Sequence, residues 1–162
     1  MSEALISEDL LRENWPEALA PENAIIGLSV HITEAARKLS SEILRSHDLS
    51  PAEFEVLFIL RANQRQSPSL LPKDVHEAMF MTTGGISKVL RRLEERGLIE
   101  RPSSSGDARQ RPIALTSRGT AVAENAFGEI GAAYRAAVGK AITSDEDKQR
   151  ALSWMMTLKH AL

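Results

Sequence analysis

The chain contains no cysteine among its 162 residues, which excludes disulfide bonds, thiol-based redox sensing and thiolate metal sites. Aromatic residues make up only 4% of the sequence. No apolar run approaches the roughly 18 residues of a membrane-spanning helix. The N-terminal stretch MSEALISEDLLRENW is acidic and unlike a signal peptide. We therefore expect a cytoplasmic protein that has no membrane partner.

Sequence motifs that carry enzymatic chemistry are also missing. There is no G-x-G-x-x-G turn after a predicted strand, no P-loop and no G-x-S-x-G nucleophile elbow. The four histidines are spread over three predicted helical stretches, and no two are spaced as i, i+4, so a histidine metal site is a weak alternative. The sequence predicts a protein that is not an enzyme and that uses neither a cofactor nor a metal.

The distribution of charge is more informative than its sum. The net charge of −2 and the pI near 6.1 argue weakly against nucleic acid as a partner. However, residues 82–118 hold eight basic and four acidic side chains, whereas residues 1–22 hold six acidic and one basic. Positive charge is therefore concentrated in one segment, as expected of a surface that binds a polyanion.

That basic segment includes MTTGGISKVLRRLEERGLIER, residues 81–101. At about 100° per residue, its apolar side chains share one side of a helix, and they are Ile86, Val89, Leu90 and Leu93. Short or cationic residues share the other side, and they are Gly84, Ser87, Lys88 and Arg91. We expect a helix over residues 83–96 that is capped by Thr82 or Thr83 and ended by Gly97 in the left-handed conformation.

Short and cationic side chains near a helix N-terminus are what a helix presents to base edges in the DNA major groove. The lack of side chains at Gly84 and Gly85 would also let the backbone approach phosphates closely. The alternative is a solvated surface helix, which is what most amphipathic helices with a basic outer face are. The sequence that follows this helix favours DNA.

Two short apolar segments, LIERP and IALTSRG, flank the polar stretch SSSGDARQRP. The pattern predicts a β-hairpin followed by a helix that is capped by Thr116. Behind a recognition helix, such a hairpin is a wing. Its tip carries Arg109 and Arg111, and Asp107 is placed to orient the Arg109 guanidinium. Arginine at a wing tip can enter a narrow minor groove, whereas a mobile loop without a partner is the alternative.

Together, TTGGISKVLRRLEERGLIER and GDARQRPIALTSRG resemble the MarR family of bacterial transcriptional regulators. The resemblance implies a mainly α winged helix-turn-helix homodimer with a small β-hairpin wing. It also implies a pseudo-palindromic operator on double-stranded DNA, and repression that a small aromatic anion relieves. The wing of this chain departs from the common pattern because Arg111 comes one place early. The expected DNA-binding residues are Thr82, Thr83, Gly84, Gly85, Ser87, Lys88, Arg91, Arg92, Asp107, Arg109 and Arg111.

Three further residues resemble the urate-responsive branch of that family, namely Trp15, Glu55 and Arg101. The resemblance implies that they bind an aromatic anion near the DNA-binding lobe. Two departures are visible: Glu55 stands where the branch has Asp, and Val89 stands where an arginine is expected. The alternative is that Trp15 packs the N-terminal segment and that Glu55 is only a charge on a helix face.

The order of these patterns predicts the domain organisation. Residues 1–22 form an acidic extension, residues 23–47 and 117–162 form a helical dimerisation region, and residues 48–116 form the winged helix-turn-helix lobe. Ser50, Pro51 and Glu53 predict a capping box, and Thr143 with Glu146 predicts another before the last helix. Between them, RANQRQSPS reads as a polar loop. A winged-helix protein-interaction module that binds no DNA remains the functional alternative.

Overall fold

The computed structural model describes residues 8–79, 85–101 and 111–161. They form a mostly helical fold with one small antiparallel sheet, so the predicted fold class is confirmed. The helices are α1 (Glu8–Asn14), a 3₁₀ turn (Pro16–Leu19), α2 (Pro21–Ser46), α3 (Pro51–Asn63), α4 (Pro72–Ala78), α5 (Ile86–Glu95), α6 (Ser117–Ala141) and α7 (Asp145–Ala161). The strands are β1 (Ser69–Leu70), β2 (Ile99–Glu100) and β3 (Ile113–Leu115). Within the described residues, no helix combines the length and hydropathy needed to cross a bilayer.

The chain divides into two compact units, residues 1–39 and residues 40–162. In the N-terminal unit, the backbone N–H of Trp15 donates to the carbonyl of Leu11 at 2.7 Å. The side chain of Asn23 donates to the carbonyl of Glu17 at 3.2 Å, which ties the 3₁₀ turn to the start of α2. The α2 part of this unit exposes several apolar side chains, and these are Ile25, Ile26, Leu28, Val30 and Ile32.

The larger unit is built around α3, whose start is fixed by the predicted capping box. The hydroxyl of Ser50 accepts from the backbone N–H of Glu53 at 3.3 Å, and the backbone N–H of Ser50 donates to Glu53 Oε2 at 2.8 Å. The next turns of α3 bury apolar side chains against α4, α5, α6 and the sheet. The largest fully buried side chains of this core are Leu44, Val56, Leu57, Val75, Leu90, Leu93, Leu98, Ile99 and Ile113.

The sheet has the strand order β1-β3-β2, with β3 in the middle. The pairing of β2 with β3 places Ile99 opposite Leu115 and confirms the predicted hairpin. The pairing of β1 with β3 places Leu70 opposite Ile113. The sequence reading of this region as only a polar loop missed β1, because a strand of two residues has no alternation to detect.

The cap of the last helix lies one residue later than the sequence predicted. The backbone N–H of Asp147 donates to Ser144 Oγ at 3.0 Å, and that hydroxyl donates to Asp147 Oδ2 at 2.8 Å. The predicted pair of Thr143 and Glu146 is therefore wrong. Both pairs have the same spacing, so local sequence does not distinguish them. Glu146 instead accepts a hydrogen bond from Arg150 at 2.8 Å.

The start of α6 packs directly on the chain that leaves α5. Thr116 caps α6 as predicted, because its hydroxyl accepts from the backbone N–H of Gly119 at 2.9 Å. That hydroxyl also donates to the carbonyl of Gly97 at 2.8 Å. A Cβ on Gly119 would lie 1.8 Å from the carbonyl oxygen of Leu98, so only glycine fits at this contact.

Replacing Gly119 tests how closely α6 must approach Leu98. Gly119→Ala should destabilise the fold by about 2–3 kcal/mol, because overlap with a backbone carbonyl forces the backbone to move. Gly128→Ala is the matched control on the same helix, since its added Cβ meets nothing within 4 Å. The control should gain up to about 1 kcal/mol of helix propensity. Denaturant unfolding measures both variants, and equal stability of the two would contradict the close approach.

Candidate nucleic-acid interface

The predicted recognition helix is α5, and it begins after the glycine pair. Gly85 is its N-cap, with φ of −165°, and no side chain caps the helix. The prediction that the helix starts at residue 83 with Thr82 or Thr83 as cap is therefore wrong. Adjacent glycines lose much conformational entropy in a helix, which favours a start beyond them. Thr82, Thr83 and Gly84 lie outside the described residues.

The end of α5 agrees with the prediction. Gly97 has φ of +65°, its N–H donates to the carbonyl of Glu94, and the N–H of Leu98 donates to the carbonyl of Leu93, each at 2.9 Å. These two bonds form a Schellman motif. Leu93 and Leu98 are both buried, so the motif also anchors the end of α5 in the core.

The two sides of α5 separate as the sequence predicted. Leu90 and Leu93 are buried, and Ile86 and Val89 are half-buried against the same core. The residues that face solvent are Gly85, Ser87, Lys88, Arg91, Arg92, Glu94 and Glu95. The predicted DNA-binding residues of α5 are thus on its accessible side, where a polyanion could reach them.

Ion pairs leave most of this positive charge uncompensated. Arg91 Nε lies 3.6 Å from Glu95 Oε1, and both side chains are about two-thirds exposed, so the pair contributes little stability. Among the described residues, no carboxylate lies within salt-bridge distance of Lys88 or Arg92. The outer face of α5 therefore carries net positive charge.

The structure describes only part of the predicted wing. Asp107 and Arg109 lie outside the described residues. Arg111 directly precedes β3 and is half-buried, and its Nε is buried without a hydrogen-bond partner in the part of the chain that the structure describes. Arg111 therefore lies at the base of the hairpin, close to the sheet.

The three predicted ligand-binding residues lie on different elements. Trp15 belongs to the N-terminal unit and is 63% exposed. Glu55 and Arg101 belong to the larger unit, where Glu55 is half-buried on α3 and Arg101 follows β2. The side chain of Arg101 is largely buried, and its Nε lies 3.1 Å from Glu94 Oε2 on α5. A ligand at Arg101 would therefore meet an existing ion pair with the recognition helix.

A cavity of about 390 Å³ lies between α3 and α6, and the sequence did not predict it. Its walls include Phe58 and Phe127, whose ring centroids are 5.5 Å apart. Arg61 and Arg65 also line it, and Arg61 Nε donates to Glu124 Oε1 at 2.8 Å. Phe58 and Arg61 are spaced as i, i+3 and share one face of α3. Arg65 lies in the turn after α3, so helical spacing alone could not have placed it at the cavity.

Comparison with known proteins places this architecture in a family. A sequence model of the MarR family matches residues 47–110. A Bacillus cereus protein described as an uncharacterized HTH-type transcriptional regulator is 33% identical over 131 residues, which cover 81% of this chain and 83% of that protein. The chain belongs to the MarR family of transcriptional regulators.

Other members of the family are similar in sequence or structure over most of this chain. The multiple antibiotic resistance protein MarR of Escherichia coli is 25% identical over 122 residues, which cover 75% of this chain and 82% of MarR. A MarR family protein of Mycobacterium tuberculosis has a TM-score of 0.62 at 29% identity, over 88% of this chain and 98% of that structure.

A structure of Staphylococcus aureus MepR in complex with DNA has the same fold, with a TM-score of 0.66 at 24% identity, over 83% of this chain and 96% of MepR. Transcriptional regulation is thus the functional class of these relatives, and it is the class that the sequence predicted.

Proposed function

We propose that this MarR-family chain binds a pseudo-palindromic operator as a homodimer and represses transcription until a small aromatic anion binds. The observation that carries the proposal is the outer face of α5, where Ser87, Lys88 and Arg91 are exposed opposite a buried apolar side. Lys88 and Arg91 lie in the first two turns of the helix. A cationic side chain there can donate to guanine O6 and N7 in the major groove.

The remaining predicted DNA contacts position the protein on the duplex. Backbone groups from residues 82–85 would approach phosphates, and Arg92 and Arg111 would add positive charge near the backbone. Arg109, oriented by Asp107, would enter the flanking minor groove, where A·T-rich sequence narrows the groove. In this proposal residues 48–116 form the DNA-binding lobe.

Residues 23–47 and 117–162 would form the dimerisation region, and exposed apolar surface supports this assignment. On α6, the exposed side chains include Phe127, Tyr134 and Val138, and on α7 they include Leu152, Trp154, Met155 and Met156. Trp154 is 69% exposed. Exposed apolar surface in this amount is unfavourable on a monomer in water. A second copy of the chain is the partner that gives such surface a closed, symmetric interface.

The cavity between α3 and α6 is the effector site that we favour. Its phenylalanine rings suit an aromatic ring, and Arg65 supplies a cation at its edge. The family resemblance separately implies that Trp15, Glu55 and Arg101 bind such an anion, and this is our alternative proposal. An effector can relieve repression only if it binds free and DNA-bound protein with different affinity.

Selection of binding sites from random DNA tests the function. We expect an enriched pseudo-palindrome whose half-sites are about 10 base pairs apart.

Lys88→Ala or Arg91→Ala should cost about 1–3 kcal/mol of operator binding and relax preference at one base position per half-site. Arg109→Ala should weaken binding to all sequences and lower the salt slope by about one per subunit. If all three variants bind operator and random DNA as the wild type does, the alternative of a protein-interaction module that binds no DNA is favoured.

The assembly state is a separate test. We expect a dimer at micromolar concentration, measured by light scattering. Leu152→Glu should dissociate it, because burying an unpaired charge in an apolar interface costs several kcal/mol. The control is Lys159→Glu on the same helix, which exchanges one charge for another. A folded wild-type monomer, or protection of a single half-site in a footprint, would count against the homodimer.

The effector site can be tested with urate as the probe. Urate should weaken operator binding at either site, and it should quench tryptophan fluorescence if Trp15 contacts it. Arg65→Gln should reduce urate affinity about tenfold if the α3–α6 cavity is the site, because a charge-assisted hydrogen bond is lost. Trp15→Phe should abolish the quench if Trp15 is in the site, and Trp154→Phe controls for the other tryptophan. If urate alters neither the fluorescence nor operator binding, urate is not the effector.

A further inference from the structure

The end of α5 is joined to the start of α3 by a cluster of ion pairs that no sequence motif predicted. Arg96, the C-cap residue of α5, places Nη2 at 3.2 Å from Asp48 Oδ2 and Nη1 at 3.7 Å from Glu53 Oε1. The Arg96 side chain is 29% exposed and that of Glu53 only 8%. Arg96 therefore differs from Lys88 and Arg91, which face solvent on the same helix.

Glu53 takes part in two contacts at once. Its Oε2 accepts hydrogen bonds from the backbone N–H of Ser50 at 2.8 Å and from the Ser50 hydroxyl at 2.7 Å. Its Oε1 faces Arg96. A carboxylate this buried is stable only with a cation and hydrogen-bond donors beside it. The group that caps α3 is thus also the group that holds the end of α5.

Asp48 adds a second observation that points to the same role. Its N–H donates to the carbonyl of Arg45, the N–H of Leu49 donates to that of Leu44, and Asp48 has φ of +54°. These features place Asp48 at the position after α2 where glycine is usually found, because other residues are strained there. This chain carries a carboxylate at that strained position, 3.2 Å from Arg96. The Asp48 side chain is 95% exposed, so this pair is weaker than the pair that Arg96 makes with the buried Glu53.

We propose that Arg96 is a positioning residue for DNA recognition, held by Asp48 and Glu53, and that it does not itself contact DNA. This inference rests on the proposed function. Lys88 lies about 12 Å from Arg96 along the helix axis, at 1.5 Å per residue. A tilt of about 10° at the end of α5 therefore displaces Lys88 by about 2 Å. Hydrogen bonds to base edges do not tolerate a displacement of that size.

The deciding variant is Asp48→Gly, because it removes the carboxylate and also relieves the backbone strain. If Asp48 only ends α2 and does not position α5, this variant should be at least as stable as wild type and should bind operator equally well. The positioning role predicts unchanged or higher Tm together with about two- to fivefold weaker operator binding, the range expected when an exposed ion pair is lost. Glu13→Gln on α1 removes another exposed carboxylate, outside the proposed lobe and dimerisation region, and should leave operator binding unchanged.

A double-mutant cycle isolates the ion pair. Arg96→Met keeps the aliphatic stem, and Asp48→Asn keeps a residue that tolerates positive φ. Asp48→Asn should bind operator about two- to fivefold more weakly. Arg96→Met also loses the pair with Glu53, so it should bind at least about tenfold more weakly. The double variant should be no weaker than Arg96→Met alone. Affinity for random DNA and the salt slope should stay at wild-type values. Arg96→Lys should restore part of the lost operator affinity.

Several results would overturn the proposal. Wild-type operator binding by both Asp48→Gly and Arg96→Met would do so, and so would a salt slope that falls in Arg96→Met, which identifies a direct phosphate contact. If the wild type selects no DNA sequence, the proposed function fails on its own. Hydrogen exchange then decides the positioning role, because Asp48→Gly must still speed exchange of the amides in the last turn of α5. Unchanged exchange there would exclude it.

Discussion

The positions of α5, the sheet and α6 depend on the carbonyl group of Leu98. Its oxygen accepts a hydrogen bond from the N–H of Thr116 at 3.2 Å and occupies the space that a side chain at Gly119 would need. Gly97 makes this approach possible, because its positive φ turns the chain back from the end of α5. A contact between backbones is rigid, so movement of α6 at its first turn also moves the end of α5.

Helix α5 needs such support because it is only ten residues long. Isolated helices of that length are marginal in water, and the N-cap Gly85 supplies no side-chain hydrogen bond. Its stability comes instead from the other end, where the Schellman motif buries Leu98 and where Arg96 meets two carboxylates. The first N–H groups of α5, as of any helix, lack acceptors within the helix, and in the proposed DNA complex they would face phosphates.

Features set by neighbouring residues could be predicted from the sequence, and features set by tertiary contacts could not. The Ser50 capping box, the Thr116 cap and the turn at Gly97 each depend on a few adjacent residues. The start of α5 was predicted wrongly because residues 82–85 offer both threonine and glycine as N-caps. Strand β1 was missed because it is defined only by its pairing with β3. Likewise, Arg96 reads as one more basic residue until α3 brings Glu53 to it.

In the proposed regulation by an anion, the position of the binding site decides which of these contacts the anion would disturb. An anion at Arg101 competes with Glu94 for the same guanidinium, so it would loosen a contact on the last turn of α5 directly. An anion in the α3–α6 cavity lies beside Ala123, one turn beyond Gly119, and would act through the first turns of α6 on Leu98. The first route removes an ion pair, whereas the second displaces a rigid backbone contact. Only the second would be blocked by changes that fix α6 against Leu98, so the two routes are physically distinct ways for one ligand to move the same helix.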